Sequence, residues 1–395
     1  MKKVDVIFGT RPEAIKLLPL ILALSDRPAE FSVRSIVSAQ HREMLDQVIN
    51  AFDIQIDIDL DIMQPQQSLS DVTAACIQRL EPVLRNHGTD LVLVQGDTST
   101  AFSAALAAFY SRIPVGHVEA GLRSFDALNP YPEEMNRRLC DNISRWHFAP
   151  TDTARNNLLN EGVDADGVFV TGNTGIDALH ISIDRIESDS NATVSAATIA
   201  AAAQPFILVT AHRRENLGQP LQNLCKALRN IADRHPEFRI VFPMHPNPLV
   251  RQTVEPGLSH VPNIELLEPL EYFDFVYLQQ KCFFVVTDSG GIQEEAPSLG
   301  KPVLVVRSNT ERPEAVAVGT VELVGSDAKR IESAMEALLT DKSKYAANAR
   351  AINPYGDGHA AKRIVDALRY IYGFNDERPL PFDANTAGDV PSAIR

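Results

Sequence analysis

Short apolar runs rich in β-branched residues alternate with longer stretches of helical period along nearly the whole chain. The runs are Val4 to Phe8, Ser32 to Val37, Leu91 to Val94, Val115 to Val118, Val168 to Thr171, Ile207 to Thr210, Ile240 to Phe242, Phe283 to Thr287 and Val303 to Val306. A brief apolar run bounded by turn residues reads as a strand covered on both faces. Strands that alternate with helices build βαβ units, and those units make parallel sheets, so the rhythm predicts an α/β fold. At 395 residues the chain is too long for one ordinary core. Residues 182–204, polar at first and then Ala-rich with no strand-like run, read as the connection between two sets of strands. His359 to Tyr372 reads as an amphipathic helix, and Phe374 to Arg395, rich in Pro, Asp and small residues, as a tail without fixed structure.

The net charge of −14 argues against nucleic acid or an anionic membrane as partner. An anionic ligand would therefore need a local basic cluster, and the candidates are Arg11 with Lys16, His212-Arg213-Arg214, and Arg312. No apolar stretch approaches the roughly 20 residues that cross a bilayer, and Met1-Lys2-Lys3-Val4-Asp5 runs into a strand-like segment, so a cytoplasmic protein is expected. Cys76, Cys140, Cys225 and Cys282 lie far apart without nearby histidines, which points to reduced core thiols rather than a zinc site. Neither a dinucleotide-binding glycine fingerprint nor a Walker loop occurs, and no spacing suggests a metal, so no cofactor is expected.

Ser289-Gly290-Gly291 sits between Phe283 to Thr287 and a helix-like segment opening Ile292-Gln293-Glu294-Glu295. Two glycines let the backbone approach a diphosphate, and the first N–H groups of the helix point at it. An ordinary N-cap at Asp288 or Ser289 is the competing reading. In an open parallel sheet, residues past the carboxyl ends of strands line the ligand crevice. That rule selects Arg11, Gln40-His41-Arg42, Gly96-Asp97-Thr98 and His117-Val118-Glu119-Ala120-Gly121. Asp97 and Glu119 are thus carboxylates on consecutive strand ends, able to divide acid and base work. Asp97 ahead of Thr98-Ser99-Thr100 also reads as a helix cap. Glu133, in Pro132-Glu133-Glu134-Met135-Asn136-Arg137-Arg138, is a third acid, although Glu133 to Arg137 and Glu134 to Arg138 also fit solvated pairs one turn apart. His212, followed by two arginines at a strand end, reads as an anion clamp, with His245 a weaker parallel and Glu295 suited to ribose hydroxyls. Arg11-Pro12-Glu13-Ala14 and Arg312-Pro313-Glu314-Ala315 form a faint internal echo, each opening a helix after a strand.

The stretches Phe8-Gly9-Thr10-Arg11-Pro12-Glu13-Ala14-Ile15-Lys16, Gly116-His117-Val118-Glu119-Ala120-Gly121-Leu122-Arg123, His212-Arg213-Arg214-Glu215, Asp288 through Gly300 and Glu311-Arg312-Pro313-Glu314-Ala315 closely resemble the bacterial non-hydrolysing UDP-N-acetylglucosamine 2-epimerases. Matching motifs extend from Phe8 to Gly358, nearly the whole chain. The resemblance implies two Rossmann-like domains of glycosyltransferase-B type, with the last helix crossing back to the first. It divides the chain into 1–174 with the acid-base carboxylates, 175–354 for UDP, 355–373 as the crossover helix and 374–395 as the tail. It implies a homodimer, a role in cell-envelope polysaccharide synthesis, and reversible interconversion of UDP-GlcNAc and UDP-ManNAc through a bound 2-acetamidoglucal. Carried over by residue, Asp97, Glu119 and Glu133 are the acid-base candidates, with His212 aiding the leaving phosphate. Arg11, Lys16, Ser289, Gly290, Gly291 and Arg312 would meet the diphosphate and sugar, Glu295 the ribose, Phe275 the uracil face, and Leu270 the uracil through its backbone. Which carboxylate removes the C2 proton stays open, with Asp97 or Glu133 preferred. A hydrolysing epimerase and a UDP-sugar transferase of the same fold are the enzyme alternatives, and a sugar-nucleotide sensor the non-enzyme one. Gln95 stands where the family often has His, and Ser308-Asn309 depart from its usual loop. Of the positions used by members activated by a second UDP-GlcNAc, Gln40, His41, Arg213 and His245 match, whereas Glu43 and Gln66 do not.

Overall fold

The computed structural model describes residues 1–38, 42–64, 66–188, 194–310, 312–350 and 352–384, without the side chains of 42–44. Its strands are β1 (Lys2–Phe8), β2 (Phe31–Val37), β3 (Ile58–Asp59), β4 (Leu91–Gln95), β5 (Val115–Val118), β6 (Trp146–Ala149) and β7 (Val168–Val170), followed by β8 (Phe206–Thr210), β9 (Arg239–Pro243), β10 (Ile264–Leu267), β11 (Val285–Thr287), β12 (Val303–Val305) and β13 (Val321–Leu323). They form two sheets, ordered β3-β2-β1-β4-β5-β6-β7 and β10-β9-β8-β11-β12-β13. Every described pairing is parallel. The expected α/β fold is therefore observed, and each sheet reverses strand order once: at β1/β4 in the first and at β8/β11 in the second. Crevices open at such reversals, because the connections on either side leave over opposite faces.

The chain divides into two compact units, Met1–Ile181 with Tyr355–Asp383, and Ser182–Pro354. The crossing lies inside the helix Thr174–Ser188, so the polar stretch read as a connection begins as helix, and a second helix, Ala196–Ala201, follows. The helix Ala360–Ile371 belongs to the first unit, where Arg369 pairs with Glu30 at 2.8 Å and the Tyr372 hydroxyl donates to the Asp90 carbonyl at 3.2 Å.

Each unit has its own core. In the first, Ile7, Val92 and Val94 of the sheet pack with Cys76, Leu80 and Leu84 of the helix Leu69–His87. Ala101, Ala104, Ala105 and Ala108 of the helix Ser99–Tyr110 complete that core, their small side chains letting backbones approach. In the second, Ile207, Val209, Ile240, Phe242 and Val286 meet Leu224, Leu228 and Ile231 of the helix Gln219–Arg234. Complete burial of one such Leu, Ile or Phe is worth about 1.5–3 kcal/mol. All four cysteines are free and buried. Among the described residues, no helix is long and apolar enough to cross a membrane.

The alternation of runs missed β3, β6, β10 and β13. β6 reads Trp-His-Phe-Ala, whose polar second residue breaks the apolar run, while β3 has only two residues. The expected unstructured tail is corrected over Phe374–Asp383. Phe374 meets Phe31 edge-on at 5.6 Å, Arg378 lies 4.3 Å over the Phe169 ring, and buried Phe382 donates its N–H to the Val170 carbonyl at 2.9 Å. Two aromatic anchors outweigh a composition otherwise typical of disorder. Residues 385–395 lie outside the described residues. Phe382→Ala is expected to destabilise the first unit by about 2 kcal/mol, the cost of un-burying one ring. Urea unfolding followed by a probe confined to that unit would measure it.

Candidate functional site

At the β1/β4 reversal, the loops after the two strands are tied together from below. The buried Glu13 accepts from the Gly9 N–H at 3.1 Å, the Thr10 N–H at 2.8 Å and the Thr10 and Thr98 hydroxyls at 2.7 Å. Burial pushes its pKa up to about 7, against the pull of the bonds from Thr98, Thr10 and Gly9. Above this tie, Arg11 opens the helix Arg11–Ser25, and Lys16 lies one turn further on.

The cap reading of Asp97 is not borne out. Thr98 caps the helix Ser99–Tyr110, accepting from the Ala101 N–H at 3.0 Å. Asp97 instead takes Arg137 Nε at 3.1 Å on its carboxylate, and its carbonyl accepts from Asn136 Nδ2 at 3.0 Å. The solvated-pair reading of the Glu133 helix fails as well. Arg137 turns to Asp97 and to Glu134, and Arg138 lies 3.9 Å from Glu161. Glu134 is fully buried and accepts from the Ser124 and Phe125 N–H groups at 2.9 and 3.3 Å. Glu133, by contrast, has a buried Oε2 with no hydrogen-bond partner among the described residues. Asn136 and Arg137 thus dock the helix Glu133–Ile143, which opens at Glu133, on Asp97.

Glu119 sits at φ 68°, the left-handed region, at a strain of order 1 kcal/mol for a residue with a side chain. Its carboxylate is held by Lys16 and by Gln95 Nε2, the latter at 2.9 Å. Gln95 was noted in the sequence only as a departure; the structure makes it a ligand of Glu119. The three acids therefore have three settings in one unit: one on an arginine, one on a lysine and an amide, and one with an oxygen unsatisfied.

In the second unit, His212 and Ser289 follow β8 and β11, the strands that flank the reversal. Of the two cap candidates, Ser289 holds the N-cap position of the helix Gly290–Glu295, without a side-chain capping bond, and Asp288 does not. The buried Asp288 carboxylate accepts from the His212 N–H, the Arg213 N–H and Asn216 Nδ2, each at 2.9 Å. Sequence reasoning missed this role, which is legible only once β11 is known to lie beside β8. Gly290 opens the helix Gly290–Glu295, and a Cβ there would stand 3.2 Å from the Arg312 guanidinium carbon. A side chain there would require that guanidinium to give by a few tenths of an ångström. Arg312 is aimed by Glu294, 2.8 Å from its Nε, and by the Thr310 hydroxyl, which accepts from the Arg312 N–H at 3.1 Å. The Glu295 carboxylate lies over Gly291, with Oε1 3.7 Å from where a Cβ would stand. Leu270 precedes the helix Tyr272–Lys281, which carries the half-buried Phe275. The faint echo is out of register: Arg11 is the first helical residue, whereas Arg312 precedes Pro313–Val318 as its cap residue.

His212 stacks on His245 with ring centres 5.4 Å apart and planes at 12°. Burial lowers its pKa, partly countered by Asp288 and reinforced by Arg213 and His245. Among the described residues no cluster of His, Cys, Asp or Glu could hold a metal ion. Gln40, His41 and Glu311 lie outside the described residues, as does the side chain of Glu43.

Carboxylates in one unit and a glycine turn with arginine and histidine in the other match the sequence motifs noted above. A model of the UDP-N-acetylglucosamine 2-epimerase family matches residues 23–369. The chain belongs to that family. It is 51% identical over 370 residues to the UDP-N-acetylglucosamine 2-epimerase of Escherichia coli K12, covering 93% of this chain and 98% of that one. A crystal structure of the Neisseria meningitidis UDP-GlcNAc 2-epimerase bound to UDP-GlcNAc matches with a TM-score of 0.85 at 48% identity, over 93% of this chain and 99% of that one. A structure of Staphylococcus aureus MnaA with UDP matches with a TM-score of 0.87 at 46% identity, over 97% and 100%. The glycosyltransferase-B-like fold implied by the family resemblance is thus the one observed.

His212 is expected to titrate below an ordinary histidine in the unliganded protein, and Asp288→Asn to lower it further, because Asp288 is the group that favours its charged form. Histidine proton NMR against pH reads both changes.

Proposed function

We propose that the chain interconverts UDP-GlcNAc and UDP-ManNAc without hydrolysis. The diphosphate is taken by the Ser289 to Gly291 turn with Arg312 and His212, and the sugar by the carboxylates of the first unit with Arg11 and Lys16. Glu295, Phe275 and the Leu270 backbone serve the ribose and uracil. The single observation that carries this reading is the docking on Asp97, through Asn136 and Arg137, of the helix that opens at Glu133, whose buried Oε2 has no hydrogen-bond partner among the described residues, a setting suited to a group that waits for a proton or a C–H bond.

The chemistry follows from the substrate. The C2 hydrogen of the sugar is not beside a carbonyl and is barely acidic, so a base removes it only as the anomeric bond breaks. The C2–H electrons become the C1=C2 double bond, and the C1–O electrons leave on the UDP phosphate oxygen. Lys16, Arg11, Arg312 and His212 are suited to receive that developing charge. The enol ether, a 2-acetamidoglucal, is protonated at C2 on its other face, and the UDP oxygen re-forms the bond to C1. Two acids on opposite faces are needed, and Asp97 and Glu133 fit these roles, with Glu119 held nearby by Lys16 and Gln95. No cofactor or metal enters this scheme. The homodimer and the cytoplasmic setting belong to the same reading.

Proton NMR of UDP-GlcNAc with the protein in D2O tests it. The expected outcome is loss of the C2 proton signal with growth of UDP-ManNAc and little free sugar. Free ManNAc with UDP would mark a hydrolysing enzyme, and an unchanged spectrum would end the epimerase reading. Asp97→Asn and Glu133→Gln are each expected to lower kcat by about 10²–10⁴-fold, the usual worth of a general acid or base, with UDP affinity within about tenfold of wild type.

The charge state of His212 gives a pH dependence. A diphosphate raises the pKa of a histidine it touches, so binding takes up a proton. Affinity for UDP-GlcNAc, whose own charge is constant near neutrality, is then greatest below the free-protein pKa and declines as pH rises through the bound-state pKa. The whole decline equals the factor by which the diphosphate strengthens the ring's hold on its proton. Calorimetry across pH should show this slope in the wild type and a flat profile in His212→Asn.

A further inference from the structure

We propose that His117 is an imidazolium clamped between Asp141 and the Gly96 carbonyl, and that it is a positioning residue for Asp97 and Glu119. The proposal deepens the epimerase reading and rests on it for the roles of those two acids. His117 lies on β5 and is completely buried. Its Nε2 is 2.8 Å from the carbonyl of Gly96, the residue before Asp97, and its Nδ1 is 2.6 Å from Asp141 Oδ1. Two positions along from His117 is Glu119. One ring thus touches the backbone of one acid's loop and starts the loop of the other.

The protonation follows from the partners. A carbonyl oxygen only accepts, so Nε2 carries a hydrogen. Asp141 Oδ2 faces Arg123 at 2.8 Å and the Gly121 N–H at 3.2 Å, both donors, so that oxygen carries none. One proton remains between Oδ1 and Nδ1. The adjacent guanidinium stabilises the carboxylate and leaves that proton on the ring. Burial alone would strip the proton from His117, but the Asp141 carboxylate opposes it, and the pKa stands well above the ordinary value. Asp141 is correspondingly lowered, its burial outweighed by His117 and Arg123.

The surroundings are consistent from every side. Glu161 binds Arg123 through both oxygens, at 2.9 and 2.7 Å, and Arg138 lies 3.9 Å from it, so Arg123 is shared between two carboxylates. On the neighbouring β6, His147 pairs in register with His117 and places Nε2 2.9 Å from the Asp141 carbonyl. Burial lowers the pKa of His147, which keeps a second charge away from the ring. Asp141 also fixes the far side of the Glu119 turn through Gly121. There φ is 86°, and a Cβ would run into the Ala154 carbonyl. A charged, doubly bonded ring here sets the angle at which both acids leave the sheet, and misplacement of catalytic groups by about 1 Å costs about 10²-fold in rate.

The test combines labelled-histidine NMR with kinetics on the full chain. In wild type both His117 ring nitrogens should show protonated chemical shifts from pH 6 to 9; a bare nitrogen in that range would overturn the imidazolium. In Asp141→Asn the ring should lose its Nδ1 proton. His117→Gln and Asp141→Asn should each lower kcat for C2 exchange by about 30–100-fold, with KM and UDP affinity within about threefold and one UDP still bound per chain. A kcat within threefold of wild type in a variant that binds UDP would overturn the positioning role. If His117→Gln does not fold, Asp141→Asn and the wild-type nitrogen spectrum decide. A wild-type protein that fails to exchange C2 would instead sink the epimerase reading, a result the nitrogen spectrum does not depend on.

Discussion

A carboxylate taken out of water needs donors on its lone pairs, and in this protein most buried acids obtain them from backbone N–H groups at the ends of strands and helices. Glu13 takes Gly9 and Thr10, Glu134 takes Ser124 and Phe125, Asp141 takes Gly121, and Asp288 takes His212 and Arg213. Asp177 takes Ala360 and Ala361 at the start of the returning helix. These contacts fix loops that a parallel sheet leaves unpaired at its carboxyl edge. The loops of the candidate site are therefore stapled by buried acids from beneath it.

The proposed acid-base carboxylates are held differently. Asp97 and Glu119 receive side-chain donors, Arg137 for one and Lys16 with Gln95 for the other, and Glu133 leaves an oxygen unmet. Side chains can shift when a ligand arrives far more readily than a stapled backbone. The whole chain carries a charge of −14, yet of the diphosphate candidates Arg312 lies against the glycine turn and His212 follows the neighbouring strand β8. Attraction there is local, and its range is set by a screening length of about 8–10 Å rather than by the net charge.

Much of the fold was legible because buried parallel strands must be nearly continuous in apolar residues, as β1, β4 and β8 are. β6 was not, since His147 faces a polar network rather than the core. The site was legible where type and position agree: an arginine, an acid or a glycine pair just past a strand. It failed where the partner is distant in sequence. Arg137 reads as the companion of Glu133 one turn away, and only the packing of its helix brings it to Asp97. Asp288 reads as a cap because its true partners lie on a loop 75 and 76 positions away. The tail misread has a similar cause, for Phe374 and Phe382 are too sparse to register in composition although each finds a place on the first unit.

The first unit is assembled from both ends of the chain, with Tyr355–Asp383 returning to join Met1–Ile181. On the ribosome, the helix Ala360–Ile371 emerges after the whole of Ser182–Pro354. Until then the face that will hold Ala361, Ile364 and Leu368 is open, and Asp177 has no helix start to cap. The unit that begins first thus closes last. A chain that stops short anywhere before that helix leaves the core of the first unit unfinished.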